Sequence, residues 1–154
     1  MTSTRIATVA IIVVGGSLGF AQGQKPNFSG TWLLVAPAEA AVQPPGQEET
    51  ITQTDTTITF GHPSEGGGHQ KVCGLDGQER ESNIAGFRLR CRGAWEGRKL
   101  VLAERTVNAA NTAVGSTETT TSIHLDENGS LVMEIKPPIS NLPGGPAKLV
   151  WRKR

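Results

Sequence analysis

Residues 87–107 read FRLRCRGAWEGRKLVLAERTV, and their alternation decides the fold. Leu89, Cys91, Gly93 and Trp95 fall on one side of an extended chain, and Arg88, Arg90, Arg92 and Ala94 on the other, because successive side chains of a strand point to opposite faces. The first set is expected to face a core and the arginines to face solvent. Glu96-Gly97 reads as a turn, and 99–107 as the returning strand.

Similar segments lie on both sides. Toward the N-terminus, strands are expected at 29–36, 49–54, 56–60 and 69–75. Toward the C-terminus they are expected at 116–125, 131–136 and 147–153. The Thr- and Ile-rich segments around Asp55 favour extended backbone because their side chains branch at Cβ. Leu131, Met133 and Ile135 form one inward set. Ile123 and Leu125 form another, and Leu149 and Trp151 face away from Lys148 and Arg152. Asp76-Gly77 reads as a hairpin turn and Asn128-Gly129 as a type I′ turn. Residues 78–86 fit no element clearly. Pro37, Pro44 and Pro45 make 37–46 a loop with room for a short helix at 38–42. GHPSEGGG at 61–68, the Asn/Ala-rich 108–115 and the Pro/Gly-rich 139–146 also read as loops. The result is eight or nine strands with no strong helix, joined mostly by short turns. An all-β antiparallel up-and-down barrel is expected, because closing a meander removes its exposed edges. A two-sheet β-sandwich is the alternative.

The first 21 residues read differently. One cation, Arg5, precedes the apolar run IATVAIIVVGGSLGFA, and small residues Gly19 and Ala21 lead to a cut after Ala21 or, alternatively, Gly23. That is the layout of a secretory signal peptide. The chain therefore divides into a signal peptide at 1–21, a flexible lead-in at 22–28 and one domain at 29–154. A periplasmic or secreted location follows, with no stable membrane insertion after cleavage. Without Arg5, 14 basic residues face 14 acidic ones. A chain with no basic excess lacks what phosphate-backbone binding requires, so no nucleic-acid partner is expected. Cys73 and Cys91 are an even pair in an exported chain, and a disulfide is the first expectation.

Asn27-Phe28-Ser29-Gly30-Thr31-Trp32 resembles the opening of the lipocalin and calycin superfamily, where a Gly-x-Trp starts the first barrel strand. With its Trp-x-Gly turn at 95–97, its Asp-Gly and Asn-Gly reversals and its basic last strand, the chain resembles small exported bacterial lipocalin-like proteins of unassigned function. The resemblance implies a lipocalin-like barrel. It also implies structural roles for Gly30, for Trp32 capping one barrel end, and for Arg152 packing over that indole.

No catalytic motif stands out. Ser122 and His124 share a strand face without a nucleophile elbow, and nothing places Glu104 and Glu134 across a cleft. His62, His69 and Glu65 match no metal-ligand spacing. The chain is therefore expected to be no enzyme and to hold no metal or cofactor. The arginines at 88, 90, 92 and 105 read as a solvated face, and Thr119–Thr121 as a strand surface. Trp32, Trp95 and Trp151 read as core. The leading function is a carrier of one small apolar molecule, in a barrel cavity above about 300 Å³. The alternative is an interaction or inhibitor module with a filled barrel that meets an exported protein through loops 37–48, 61–68 and 137–146. A hydrolase-type enzyme is the remote alternative.

Overall fold

In a computed structural model, which describes residues 24–36, 47–62, 69–84, 86–107, 118–136 and 147–154, the alternating segments become ten strands. They are β1 (Gly30–Ala36), β2 (Glu48–Gln53), β3 (Thr57–His62), β4 (His69–Gly74), β5 (Arg80–Ile84), β6 (Phe87–Glu96), β7 (Lys99–Val107), β8 (Glu118–Leu125), β9 (Leu131–Lys136) and β10 (Ala147–Lys153). The expected signal peptide at 1–21 and the expected short helix at 38–42 fall outside the described residues, as do most of the expected loops. Among the described residues, no helix is long and apolar enough to cross a membrane.

Hydrogen-bonded ladders run in the order β4-β3-β2-β1-β10-β9-β8-β7-β6-β5. All of these pairings are antiparallel. A single parallel bridge, Gly74 to Arg92, joins β4 to β6 and closes a ring of nine strands. This is a closed barrel and not the sandwich, and it is consistent with a calycin-type fold in general. The first and last strands are full neighbours, with Trp32 opposite Lys153 and Leu34 opposite Trp151.

The tenth strand corrects the sequence reading. Residues 80–84, left unassigned above, pair with β6 from Arg80–Cys91 to Ile84–Phe87. Asp76-Gly77 does not close a hairpin ladder, because β4 and β5 do not pair. Instead the Asp76 carboxylate accepts the Gln78 amide and an Arg80 guanidinium bond. Asn128-Gly129 is also not a two-residue turn. Asp126 Oδ1 accepts the amides of Asn128 and Ser130, and the Asp126 amide donates to the Ser130 carbonyl. Three residues make that reversal, with Gly129 at φ 78° in the left-handed position such a turn requires.

The seam between β4 and β6 has one backbone bridge where other neighbours have ladders of four or more paired residues. Two further links hold it. The Cys73–Cys91 disulfide, with Cα atoms 4.6 Å apart, lies one residue from that bridge on each strand. Ser82 Oγ on β5 accepts the Val72 amide at 2.9 Å, satisfying a donor on β4. Gly93 keeps the seam narrow, since a Cβ there would meet Leu75 and Leu102 at 2.9 and 3.0 Å.

The two barrel ends differ. At one end β2–β3, β6–β7 and β8–β9 are joined by short reversals, and the entering chain plugs the opening. Phe28 is fully buried, stacks on Trp95 at 5.7 Å and accepts the Trp32 Nε1–H at 2.8 Å through its carbonyl. Gln53 grips the same segment, accepting the Phe28 amide and donating to the Pro26 carbonyl. Within the expected lead-in at 22–28, Pro26 and Phe28 are buried and form this plug, while Gln24, Lys25 and Asn27 are exposed.

Replacing both cysteines with alanine (C73A/C91A) is expected to cost about 3 kcal/mol, the chain-entropy value for a loop of this size. The check is a lowered midpoint in denaturant titration with the far-ultraviolet β signal retained. Phe28→Ala is expected to cost about 3–5 kcal/mol, as for other buried aromatics. A dispensable lead-in would give a loss near zero in the same titration.

Candidate functional site

Alternation along each strand sorts what enters the barrel. Ile51, Ile58, Leu100, Leu131 and the disulfide fill the interior above the plug. Beyond them, toward the other end, lies a cavity of about 220 Å³. Its apolar walls come from Phe60 on β3, Leu102 on β7, Ile123 on β8, Met133 and Ile135 on β9, and Leu149 and Trp151 on β10. Four ionisable side chains also line it, namely Glu49 on β2, His62 on β3, Lys71 on β4 and Glu104 on β7, with Thr119 and Thr121 of β8. The cavity is smaller than the 300 Å³ expected from the sequence, because large side chains, Trp151 and Phe60 among them, take up part of the bore.

Each ionisable group sits where strand parity requires it. Glu49 shares its face with Ile51, Lys71 with Cys73, and Glu104 with Leu100 and Leu102. Lys71 Nζ donates to Glu104 Oε1 at 2.7 Å and stands 4.6 Å over the Phe60 ring. Glu49 is 3% exposed. Its Oε2 lies 3.0 Å from His62 Nδ1, near enough for charge coupling but not aligned as a hydrogen bond. Burial pushes the Glu49 carboxyl up to about 8 against an opposing pull from the Lys71 charge. Burial likewise lowers His62. Near neutral pH the pair is therefore an uncharged acid beside an uncharged imidazole. Three buried polar atoms of this wall have no hydrogen-bond partner, Glu49 Oε1, His62 Nδ1 and Trp151 Nε1.

Other residues singled out from the sequence fall elsewhere. Trp32 does cap the plugged end, but the cation over its ring is Lys153, with Nζ 5.7 Å from the centroid. Arg152 corrects the expectation drawn from the resemblance. It pairs with Leu33 in register, and alternation from buried Trp151 turns it outward and leaves it exposed. Gly30, at φ 141°, gives Lys153 its path, since a Cβ there would meet the lysine stem at 2.7 Å. Arg90 and Arg88 lie outside and share Glu81, and Arg105 pairs with Glu79. The Arg90 bond is the main reason that the Glu81 carboxyl is held low.

Ser122 and His124 occupy the outward face of β8, with Glu134 opposite Ser122 on β9. No hydrogen bond joins these three among the described residues. His124 borders an open groove of about 680 Å³ at the plugged end. His62 and His69 oppose each other on β3 and β4, and Glu65 lies outside the described residues. The Cys73 and Cys91 sulfurs and a Glu104 carboxylate oxygen lie within 4.8 Å of one another. The sulfurs are joined in the disulfide, which removes the thiolates a metal would need.

The chain matches no known protein-family model and no curated protein.

Glu49 binds its proton more tightly folded than unfolded, where its carboxyl titrates near 4.5. The stabilising contribution is therefore full below about 4.5 and is lost as pH rises toward about 8. Glu49→Gln keeps the shape and removes the titration. Its melting temperature is expected to gain on the wild type from pH 5 to pH 8.5, by at least about 3 °C at a sensitivity of about 2–8 °C per kcal/mol. Parallel pH profiles would show that Glu49 does not carry this term.

Proposed function

We propose that the protein binds one small molecule inside its barrel and that binding, rather than catalysis, is its task. The observation that carries this reading is the cavity of about 220 Å³ with an apolar wall and a cluster of ionisable groups. A pocket of this make-up orients a ligand through a few polar groups and holds its body by apolar contact. Its size limits the body to about one ring, given that a dry cavity of about 150 Å³ accommodates benzene. The closed β-barrel shape is compatible with enclosing a ligand, and the calycin-like opening at Gly30 and Trp32 agrees with it. The signal-peptide layout of residues 1–21 supports a carrier that works in the periplasm or outside the cell. It also fits a disulfide-closed seam, since such bonds persist in oxidising compartments.

The interaction-module reading rests on loops at 37–48, 61–68 and 137–146, which lie mostly outside the described residues. The exposed large apolar side chains among the described residues, Leu33, Val35 and Phe87, sit instead on β1 and β6. The barrel interior therefore carries the stronger argument.

Titration of the isotope-labelled protein with ethylbenzene is expected to give saturable one-site shifts of the Leu102, Ile123 and Met133 methyl signals. Thr119→Trp, which places an indole at the cavity wall, is expected to abolish those shifts at a stability cost of about 1–3 kcal/mol. Absence of saturation up to the solubility limit, or unchanged binding in the variant, would contradict the interior site.

A further inference from the structure

The geometry points to a ligand class for this site: a neutral, ring-sized molecule whose head is a carbonyl oxygen, taken up by Glu49 and Trp151. The inference rests on the barrel-binding reading above.

It begins with two of the cavity's three unpaired atoms, the third, His62 Nδ1, standing 3.0 Å from Glu49 Oε2. Trp151 is fully buried, and its Nε1–H has no partner. An indole N–H can only donate, so what satisfies it must be an acceptor. Glu49 is 3% exposed and leaves Oε1 without a partner. Both side chains line the same cavity, projecting from β2 and β10 on either side of β1. The strand register sets them on opposite sides of β1 and two residues apart along it, with Glu49 opposite Trp32 and Trp151 opposite Leu34. Buried polar groups are ordinarily hydrogen-bonded, and orphans lining one cavity mark a place for a polar partner.

Charge decides what that partner is. Lys71 already pairs with Glu104 at 2.7 Å, and Glu49 already lies against His62 at 3.0 Å. An ionic head would be an additional charge among Phe60, Leu102 and Trp151, where an uncompensated charge is costly. Burial keeps the Glu49 carboxyl protonated near neutral pH, so it offers an O–H as well as an acceptor oxygen. One carbonyl oxygen has two lone pairs and can accept from both the carboxyl O–H and the indole N–H. A ketone, aldehyde or lactone on a ring-sized apolar body meets each requirement. Water can serve the same two atoms, so the head discriminates by exchange, and its effect is about the fivefold of one net hydrogen bond.

Four one-ring probes test this on the full protein: acetophenone, ethylbenzene, benzoate and benzylammonium. Affinities come from calorimetry, and the three indole N–H signals are followed by nitrogen-15 correlation spectra. Acetophenone is expected to move the Trp151 indole signal and ethylbenzene to leave it nearly in place. Trp151→Phe, which keeps the ring and removes the donor, is expected to lower the acetophenone-to-ethylbenzene affinity ratio about fivefold. Benzoate and benzylammonium are expected to bind at least about tenfold more weakly than acetophenone. If ethylbenzene binds while the Trp151 signal and the affinity ratio ignore the carbonyl, the head assignment falls and the barrel-binding reading stands. Tightest binding of either ion would also overturn the assignment. If no probe binds, the barrel-binding reading itself falls.

Discussion

The closed interior depends on one covalent link. Eight of the nine junctions around the ring are antiparallel ladders, in which every added residue pair contributes backbone bonds. The ninth, between β4 and β6, has a single parallel bridge at Gly74 and Arg92. The Cys73–Cys91 disulfide sits beside it, fully buried, and ties together strands that backbone pairing alone barely joins. Ser82 from the side strand β5 satisfies one more β4 donor. Without the link, β4 would present an unpaired edge, β6 would keep only β5 along Phe87–Cys91 on that side, and the interior would open beside Lys71.

Closure creates the unusual chemistry inside. A carboxyl on an open sheet would keep its ordinary acidity. Glu49 instead faces a bore lined by Phe60, Leu102 and Trp151, and burial holds its proton. The barrel also separates two tasks along its axis. The plugged end, built from Phe28, Trp32, Trp95 and the Gln53 bonds, is apolar and fully paired where it matters. Within the bore, the far half carries the ionisable groups and the atoms without partners, Glu49 Oε1, His62 Nδ1 and Trp151 Nε1. Apolar packing thus dominates one end of the bore and unsatisfied polarity the other.

Most of this fold was legible in alternation. Leu89, Cys91, Gly93 and Trp95 do share the inner side of β6, and the short turns made a meander the natural reading. Residues 80–84 were missed because RESNI carries no period-2 pattern, and its pairing with β6 is decided by tertiary contact. The Arg152 expectation came from resemblance, whereas parity along AKLVWRK puts Lys153 and not Arg152 on the inner face. The site was harder to see. Glu104 stands out in the sequence without a place, and neither Glu49 nor Lys71 stands out. The signal was present, since each lies at inward parity with Ile51, Cys73 or Leu102. Reading it required knowing which face of each strand turns inward, and closure supplies that knowledge.

The disulfide holds shut the interior that buries Trp151. The most direct measurement is native-state hydrogen exchange of the Trp151 indole proton, in the intact protein and after both cysteines are replaced by alanine. Strong protection is expected in the intact chain. Exchange is expected to be faster by about two orders of magnitude in the variant, the equivalent of about 3 kcal/mol at tenfold per 1.4 kcal/mol. Rapid exchange in the intact protein, or equal rates in the two, would contradict it.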